Sequence, residues 1–294
     1  FRSRLYLEEA SIHIRGVLPA RNKAERLLKK GFRGGFVKRF IQEGQALEAD
    51  VYHAHEPASL YLAFWMARWN PGRIVFDSHE SWLSGSYRDF WVKRICLPRL
   101  RYLITANPLT RGHLLARNPA MATKVVYNYP EKRVFHHSFD VQKFQQPVIA
   151  HEGILPFNRG LKLMVEAMIR LTQTIPDARL RLIGEPKGEA HTYLNHQIAK
   201  HHLHHNIEVT GWLPYEQVPA YLKDASIGLI LKTPQPLNNI MGGPAIKLFN
   251  YMAAGMAIVD AGLPESTRFL DEIQAGITLR DRAPQTLANA LQYL

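Results

Sequence analysis

A chain of 294 residues is long for one hydrophobic core and comfortable for two domains of ordinary size. Hydrophobic residues at 46% and charged residues at 21% exclude a disordered polymer, and no apolar run reaches the ~18–20 residues that a membrane-crossing helix needs. The single cysteine, Cys96, excludes an internal disulfide framework, and no signal-peptide pattern follows Phe1, so a reducing, cytoplasmic setting is the expectation.

Much of the net charge of +12 lies near the start, in Arg21, Lys23, Arg26, Lys29, Lys30, Arg33, Lys38 and Arg39. Leu27, Leu28, Phe32, Phe36, Val37, Phe40 and Ile41 are interleaved with these cations. Such a segment suits peripheral contact with an anionic membrane, on the inner face for a cytoplasmic protein. It equally suits a solvated helix face beside a loop at Gly34-Gly35. Nucleic acid is not an expected partner, because no recognised module accompanies the charge.

Strands are then predicted at 50–55, 73–77, 102–106 and 124–127, with a helix over 58–69. The stretch 129–146 has few periodic apolar residues and reads as a connection, which gives domains 1–146 and 147–294. From there strand and helix alternate regularly. Strands are predicted at 147–150, 179–184, 207–211, 227–231, 257–260 and 276–279. The helix from Leu161 carries Leu163, Met164, Ala167, Met168 and Leu171 on one stripe. This alternation implies a parallel sheet covered on both faces, an α/β fold.

Ligands of such sheets bind beyond the carboxyl ends of the strands. Four segments occupy those places: 151–160, 184–186, 211–214, and a long loop over 232–243 that enters a helix at Pro244. Their glycines let backbone approach a ligand closely, and helix starts offer free N–H groups to phosphate. Arg159 and Lys247 add cations. Together these features select a nucleotide-diphosphate site. In the first half, His53 and His55 share one face of a strand and could, with His79 and Glu80, imitate a metal site. Separated strand ends do not guarantee a ligand geometry, so no metal or other cofactor is expected. The His201, His202, His204, His205 cluster reads as an exposed helix end.

Lys247-Leu248-Phe249 followed by Tyr251-Met252-Ala253-Ala254-Gly255 resembles the signature of family 4 glycosyltransferases with the GT-B fold. The strand end at 50–56, the loop Asp77-Ser78-His79-Glu80, Asn128-Tyr129-Pro130, Arg159-Gly160 and Gly211 fall in the order of that family. The resemblance implies two Rossmann-like domains facing across a cleft. The N-terminal domain would be on the acceptor side and the C-terminal domain would bind the sugar nucleotide. It implies a retaining, hexosyl-type transfer from a nucleotide-diphosphate sugar to a glycan or lipid-linked acceptor hydroxyl, without a metal, in cell-surface glycan or glycolipid synthesis. Arg159 and Lys247 would bind the donor phosphates, with Gly153, Gly184, Gly242, Gly243 and Pro244 bringing backbone close. Trp212 and Leu213 would hold the base. His79 and Glu80 would meet the transferred sugar, and His55 and Glu56 would lie on the acceptor side.

Three departures accompany the resemblance. Gly242 and Asn250 stand where the family has a pair of glutamates, so an Asn occupies the ribose-binding position and Asn250→Glu is an acceptable change there. Ile154 replaces a cation. The first strand with its glycine-rich turn is missing, and the chain stops at Leu294 before the usual terminal helices, as if cut at both ends. An epimerase or phosphorylase of the same fold, and a catalytically inactive sugar-nucleotide-binding scaffold, are the alternatives. The sugar, the base and the acceptor are not written in the sequence.

Overall fold

The computed structural model describes residues 2–7, 10–15, 35–79, 92–135, 141–145, 147–233 and 246–294. Its first elements are β1 (Arg2–Leu7) and β2 (Ala10–Arg15), an antiparallel pair with Leu5 in register with Ile12. The sequence reading has no counterpart for this pair, although Ile12 and Ile14 alternate with Ser11 and His13 at the period of two that marks a strand. Helix α1 (Gly35–Ala46) comes next, and Gly35 is its first residue rather than part of a loop. An apolar stripe through Val37, Phe40 and Ile41 outweighs the low helix propensity of glycine at an end position. Lys38 and Arg39 stand exposed on this helix, and the remaining cations of the segment, from Arg21 to Arg33, lie outside the described residues.

The next elements are β3 (Tyr52–His55), α2 (Glu56–Met66), β4 (Ile74–Ser78), β5 (Tyr102–Thr105), α3 (Pro108–Leu115) and β6 (Ala122–Val125). The strands form one sheet in the order β3-β4-β5-β6, with β3 and β4 parallel. Pro57 sits in the first turn of α2, where its missing N–H costs nothing. That helix packs on β3 and β4, and Leu60, Phe64, Ile74 and Phe76 are buried. β6 starts two residues before the expected position. Tyr127 lies beyond it and packs instead near Phe249 and Phe269, at ring-centroid distances of 5.6 and 6.1 Å.

Two short 3-10 turns, Lys132–Phe135 and Val141–Gln145, follow. Tyr129 meets Phe249 edge-on at 4.5 Å, and the Lys143 ammonium bonds the Ala254 carbonyl. By compactness the chain divides into two units. The first holds most residues before Lys124, and the second holds Lys124–Leu294 together with Thr105–Leu114 and His79.

The second unit follows the predicted alternation closely. Its elements are β7 (Val148–Glu152), α4 (Leu161–Leu171), β8 (Arg179–Ile183), α5 (Glu189–Lys200), β9 (Ile207–Val209) and α6 (Val218–Leu222). They continue as β10 (Ile227–Ile230), α7 (Ile246–Ala253), β11 (Ala257–Asp260), α8 (Pro264–Ile273), β12 (Gly276–Thr278) and α9 (Pro284–Tyr293). The sheet order is β12-β11-β10-β7-β8-β9, and every neighbouring pair is parallel. β7 and β10 are buried along their whole length, as strands covered on both faces must be.

The predicted stripe of α4, from Leu163 to Leu171, is buried with Leu180, Leu229, Leu287 and Leu291 on one face of the sheet. Leu222, Leu248, Phe249, Tyr251 and Leu270 fill the other. Each such fully buried side chain contributes on the order of 1.5–3 kcal/mol over leaving it in water. The chain winds outward through β7, β8 and β9, then returns to lay β10 against the other side of β7. The switch point lies between β7 and β10, and the helices that follow these two strands, α4 and α7, pack on opposite faces of the sheet.

Candidate functional site

Pairing of His151 with Leu182 and of Glu152 with Ile183 carries β7 two residues past the expected 147–150. The strand therefore ends at Glu152, at the switch point. Gly153 follows with φ +102° and donates its N–H to the Ile183 carbonyl at 2.8 Å. A Cβ on Gly184 would lie 2.1 Å from the Gly153 carbonyl oxygen, so the two loops can approach this closely only with glycine at 184. Gly160, with φ +91°, turns the chain from Arg159 into α4 in a left-handed conformation. A Cβ on it would lie 2.5 Å from that of Leu231.

Lys247, in the first turn of α7, donates to the Glu152 carbonyl at 2.8 Å. A Cβ added at Gly153 would lie 3.7 Å from its Nζ. Burial lowers the Lys247 pKa to about 8; Glu152 resists that change, while Arg159 and Lys232 push the same way. The three cations therefore share one electrostatic neighbourhood. His151, on β7 next to Glu152, donates from Nδ1 to the Leu229 carbonyl at 3.0 Å, and burial drives its pKa well below the usual range, so its imidazole is neutral.

A cleft of about 410 Å³ opens above these strand ends and brings together Gly153, Gly184, Trp212, Leu213 and Asn250. That volume suits a small-molecule ligand. Trp212, exposed at 75%, offers a flat apolar face at the cleft wall with Leu213 and Ile246. Ile154 is exposed at the rim. Asn250 is buried, yet both ends of its amide are engaged: Nδ2 donates to Glu152 Oε1 at 2.8 Å and Oδ1 accepts from the Tyr215 hydroxyl at 3.0 Å. The Tyr251 hydroxyl accepts from the Glu152 N–H at 3.0 Å and donates to the Leu229 carbonyl at 3.3 Å. Burial raises the Glu152 pKa, against the Asn250 hydrogen bond and the Lys247 charge.

Arg159 is half-buried at the end of the turn Phe157–Arg159 and acts on Lys247 through its charge, without lining the cleft. Gly242, Gly243 and Pro244 lie outside the described residues, as does Glu80. His79 directly follows β4 and is exposed. His55 ends β3, and Glu56 begins α2. His53 Nε2 lies 3.3 Å from Asp77 Oδ2 and His55 Nδ1 lies 3.7 Å from the same oxygen. The ligand atoms of His53, His55 and Asp77 all fall within 4.8 Å of one another, so a third residue, Asp77, joins the two histidines where the sequence suggested His79 and Glu80.

This strand end therefore presents a part-buried ammonium, the charge of Arg159 and open glycine backbone together. The family described as glycosyl transferases group 1 matches residues 146–294, more than half of the chain. The chain belongs to the glycosyl transferases group 1 family. Among solved structures this glycosyltransferase is similar to HepE from Anabaena in complex with UDP, at 16% identity and a TM-score of 0.66 over 90% of this chain and 73% of that one. A glycosyltransferase from Rickettsia africae matches at 14% identity and a TM-score of 0.68, over 96% of this chain and 74% of that one. Sucrose-phosphate synthase from Thermosynechococcus elongatus matches at 15% identity and 0.67, over 94% and 70%. These likenesses establish the GT-B fold of two Rossmann-like α/β domains. No curated protein matches by sequence.

Sequence reasoning assigned no role to Glu152, Tyr215 or Tyr251. Glu152 falls in the segment 151–160 that the sequence places beyond the strand. The signal that finds it is the pairing of β7 with β8, which no single strand carries.

Proposed function

We propose that the second unit binds a nucleotide-diphosphate sugar and that the chain transfers the sugar to an acceptor hydroxyl with retention, in cell-surface glycan or glycolipid synthesis. The observation that carries this reading is the approach of Gly153 to Gly184 in a largely apolar cleft at the switch point, with the part-buried Lys247 bonded to the Glu152 carbonyl beside it. HepE, of the same fold, is a UDP complex, and a second structure holds UDP and glucose, which supports a uridine nucleotide as the first donor to try.

In the reaction the bond from the anomeric carbon to the diphosphate breaks, and its electron pair goes to the phosphate oxygen. Lys247 and Arg159 would neutralise that charge, while the acceptor oxygen bonds to the carbon and passes its proton to the departing phosphate oxygen. Retention and hexosyl specificity follow the family resemblance, as does the absence of a metal requirement. A screen of UDP-, GDP- and ADP-sugars, with the anomeric configuration of the product read by NMR, tests the whole reading. Donor binding without transfer would favour the inactive scaffold, and an inverted product would overturn retention.

We also infer a cytoplasmic enzyme with peripheral contact to an anionic membrane through α1 and the cations before it. Lys38 and Arg39 are exposed on α1, and no helix among the described residues is long and apolar enough to cross a membrane. Each basic residue near an anionic surface contributes about 1 kcal/mol. The chain should sediment with anionic but not zwitterionic vesicles. Replacing Lys29, Lys30, Arg33, Lys38 and Arg39 by Gln should release it, and equal sedimentation of parent and variant would rule the segment out.

A further inference from the structure

We propose that Glu152 is the residue that recognises the ribose of the donor, accepting hydrogen bonds from its vicinal diol. The proposal rests on the donor reading of the cleft. Glu152 lines the cleft and is only 8% exposed, which is unusual for a carboxylate. Its Oε1 is held by the Asn250 amide, whereas its Oε2 is buried with no hydrogen-bond partner among the described residues. A buried acceptor left in this state costs free energy until a donor reaches it. The fixed oxygen sets the orientation of the carboxyl group, and the unsatisfied one supplies the acceptor.

The neighbours decide what that donor is. Trp212, Leu213 and Ile246 line the cleft with Glu152 and suit a flat base. Lys247 bonds the Glu152 backbone carbonyl and is electrostatically joined to Arg159, a setting suited to a diphosphate. The part of a nucleotide between base and diphosphate is the ribose, and its hydroxyls are neutral donors. A carboxylate repels phosphate oxygens but binds two adjacent hydroxyls well, because hydrogen bonds to a charged acceptor are the strong ones. The Tyr215–Asn250 hydrogen bond fixes which end of the amide faces Glu152, so the carboxylate is oriented by a chain of two side chains. The arrangement also gives a reason for the neutral residue at 250. With a buried carboxylate already supplied by β7, a second one in contact with it would be repelled.

The test is calorimetric titration of the full chain with UDP, GDP and ADP, then with the 2′,3′-dideoxy form of whichever binds tightest. The parent should prefer the diol by about 10- to 100-fold, the range expected for hydrogen bonds to a charged group. Glu152→Gln should bring the two ligands within about threefold of each other, since an amide oxygen is a weaker acceptor than a carboxylate. Asn250→Ala should weaken the preference without abolishing it. A diol preference that survives in Glu152→Gln overturns the assignment. If Glu152→Gln does not fold, the parent alone suffices. Burial raises the Glu152 pKa, so its diol preference should fade as the pH is lowered, the direction in which a carboxylate is lost. A ratio that stays flat down to the acid limit of the folded protein also overturns the assignment. Effects confined to the sugar nucleotide, with none on the free nucleotide, would place Glu152 on the transferred sugar instead. Failure of all three nucleotides to bind the parent would remove the donor reading itself, and this inference with it.

Discussion

At the carboxyl end of β7, Glu152, Asn250, Tyr215 and Tyr251 form one continuous set of hydrogen bonds, and Glu152, Asn250 and Tyr251 are buried. At the carboxyl end of β3, His53 and His55 approach Asp77 with histidine side chains 46% and 56% exposed. Both sets are polar groups at the end of a parallel strand, the place where such sheets bind ligands. The difference is water. Buried groups must find protein partners, so their geometry is over-determined and their pKa values move. Exposed groups exchange partners with solvent, and a short distance between them commits the protein to little. The first set is therefore held in one geometry by the protein alone, and the second is not.

The strongest way to break this contrast is at Arg159. Arg159→Ala should lower transfer by about 10²–10³-fold, the usual cost of removing one preorganised charge from a leaving group. The side chain is half-buried and lies outside the two packed faces of the sheet, so circular dichroism and thermal melting should be nearly unchanged. A folded variant with near-normal turnover would sink the phosphate role of Arg159.

Tyr251→Phe tests the over-determination directly. It deletes the hydroxyl that accepts from the Glu152 N–H and donates to the Leu229 carbonyl, leaving a buried N–H without that acceptor. The expected loss is about 1–3 kcal/mol of stability, read by urea unfolding. A loss below about 0.5 kcal/mol, the scale of an ordinary surface substitution, would mean that the set is slack and that Glu152 can move.

The alternation from β7 to α9 was legible because buried parallel strands and one-sided helices leave strong periodic signals, and the glycine loops at 153 and 184 stood at the ends of those strands. Trp212 and Leu213 stand after a predicted strand end, whereas Asn250 enters only through the family resemblance; all three line one cleft. Glu152 was not legible, because its role depends on β8 beside it and α7 beneath it, contacts separated by up to 98 residues. The β1–β2 pair was overlooked despite its alternation, and the position of β6 was misplaced because Tyr127 is apolar enough to look like strand while packing among aromatic rings.

The same blind spot reverses one expectation. Asn250→Glu is acceptable by resemblance alone, but here it puts a second carboxylate against Glu152. Nucleotide affinity should drop by about tenfold or more, the worth of one pKa unit of repulsion, and adding Glu152→Gln should restore it. Calorimetry on the single and double variants decides between the two expectations.

A smaller effect is expected from titration of Lys247, whose pKa is about 8 in the free protein. A diphosphate favours the ammonium, so nucleotide affinity should be full below pH 8 and should fall as the pH rises through it, by at most about tenfold per unit. Lys247→Gln should bind more weakly with a flat profile above neutrality. A parent profile that is flat from about pH 7 to about pH 9.5, a span covering the free and bound values a lysine in such a site would show, would separate Lys247 from the phosphates.

The least effect should come from the β3 end. His53→Ala removes the 3.3 Å contact to Asp77 and the stacking of His53 on His55, whose centroids lie 4.4 Å apart. The histidine is close to half exposed, so solvent competes for both interactions, and exposed pairs of this kind contribute about 0–1 kcal/mol. Urea unfolding should therefore shift by less than about 1 kcal/mol, and nucleotide affinity should not change, because none of the three residues lines the donor cleft. Chelator treatment is the companion measurement, since the ligand atoms of His53, His55 and Asp77 are close enough together to hold an ion. Unchanged melting and unchanged transfer after dialysis against EDTA, in parent and variant alike, would leave the cluster as an exposed polar surface. A drop in melting temperature on chelation of the parent, absent in His53→Ala, would instead make the β3 end a metal site. It would then be organised by an ion in the way the β7 end is organised by burial.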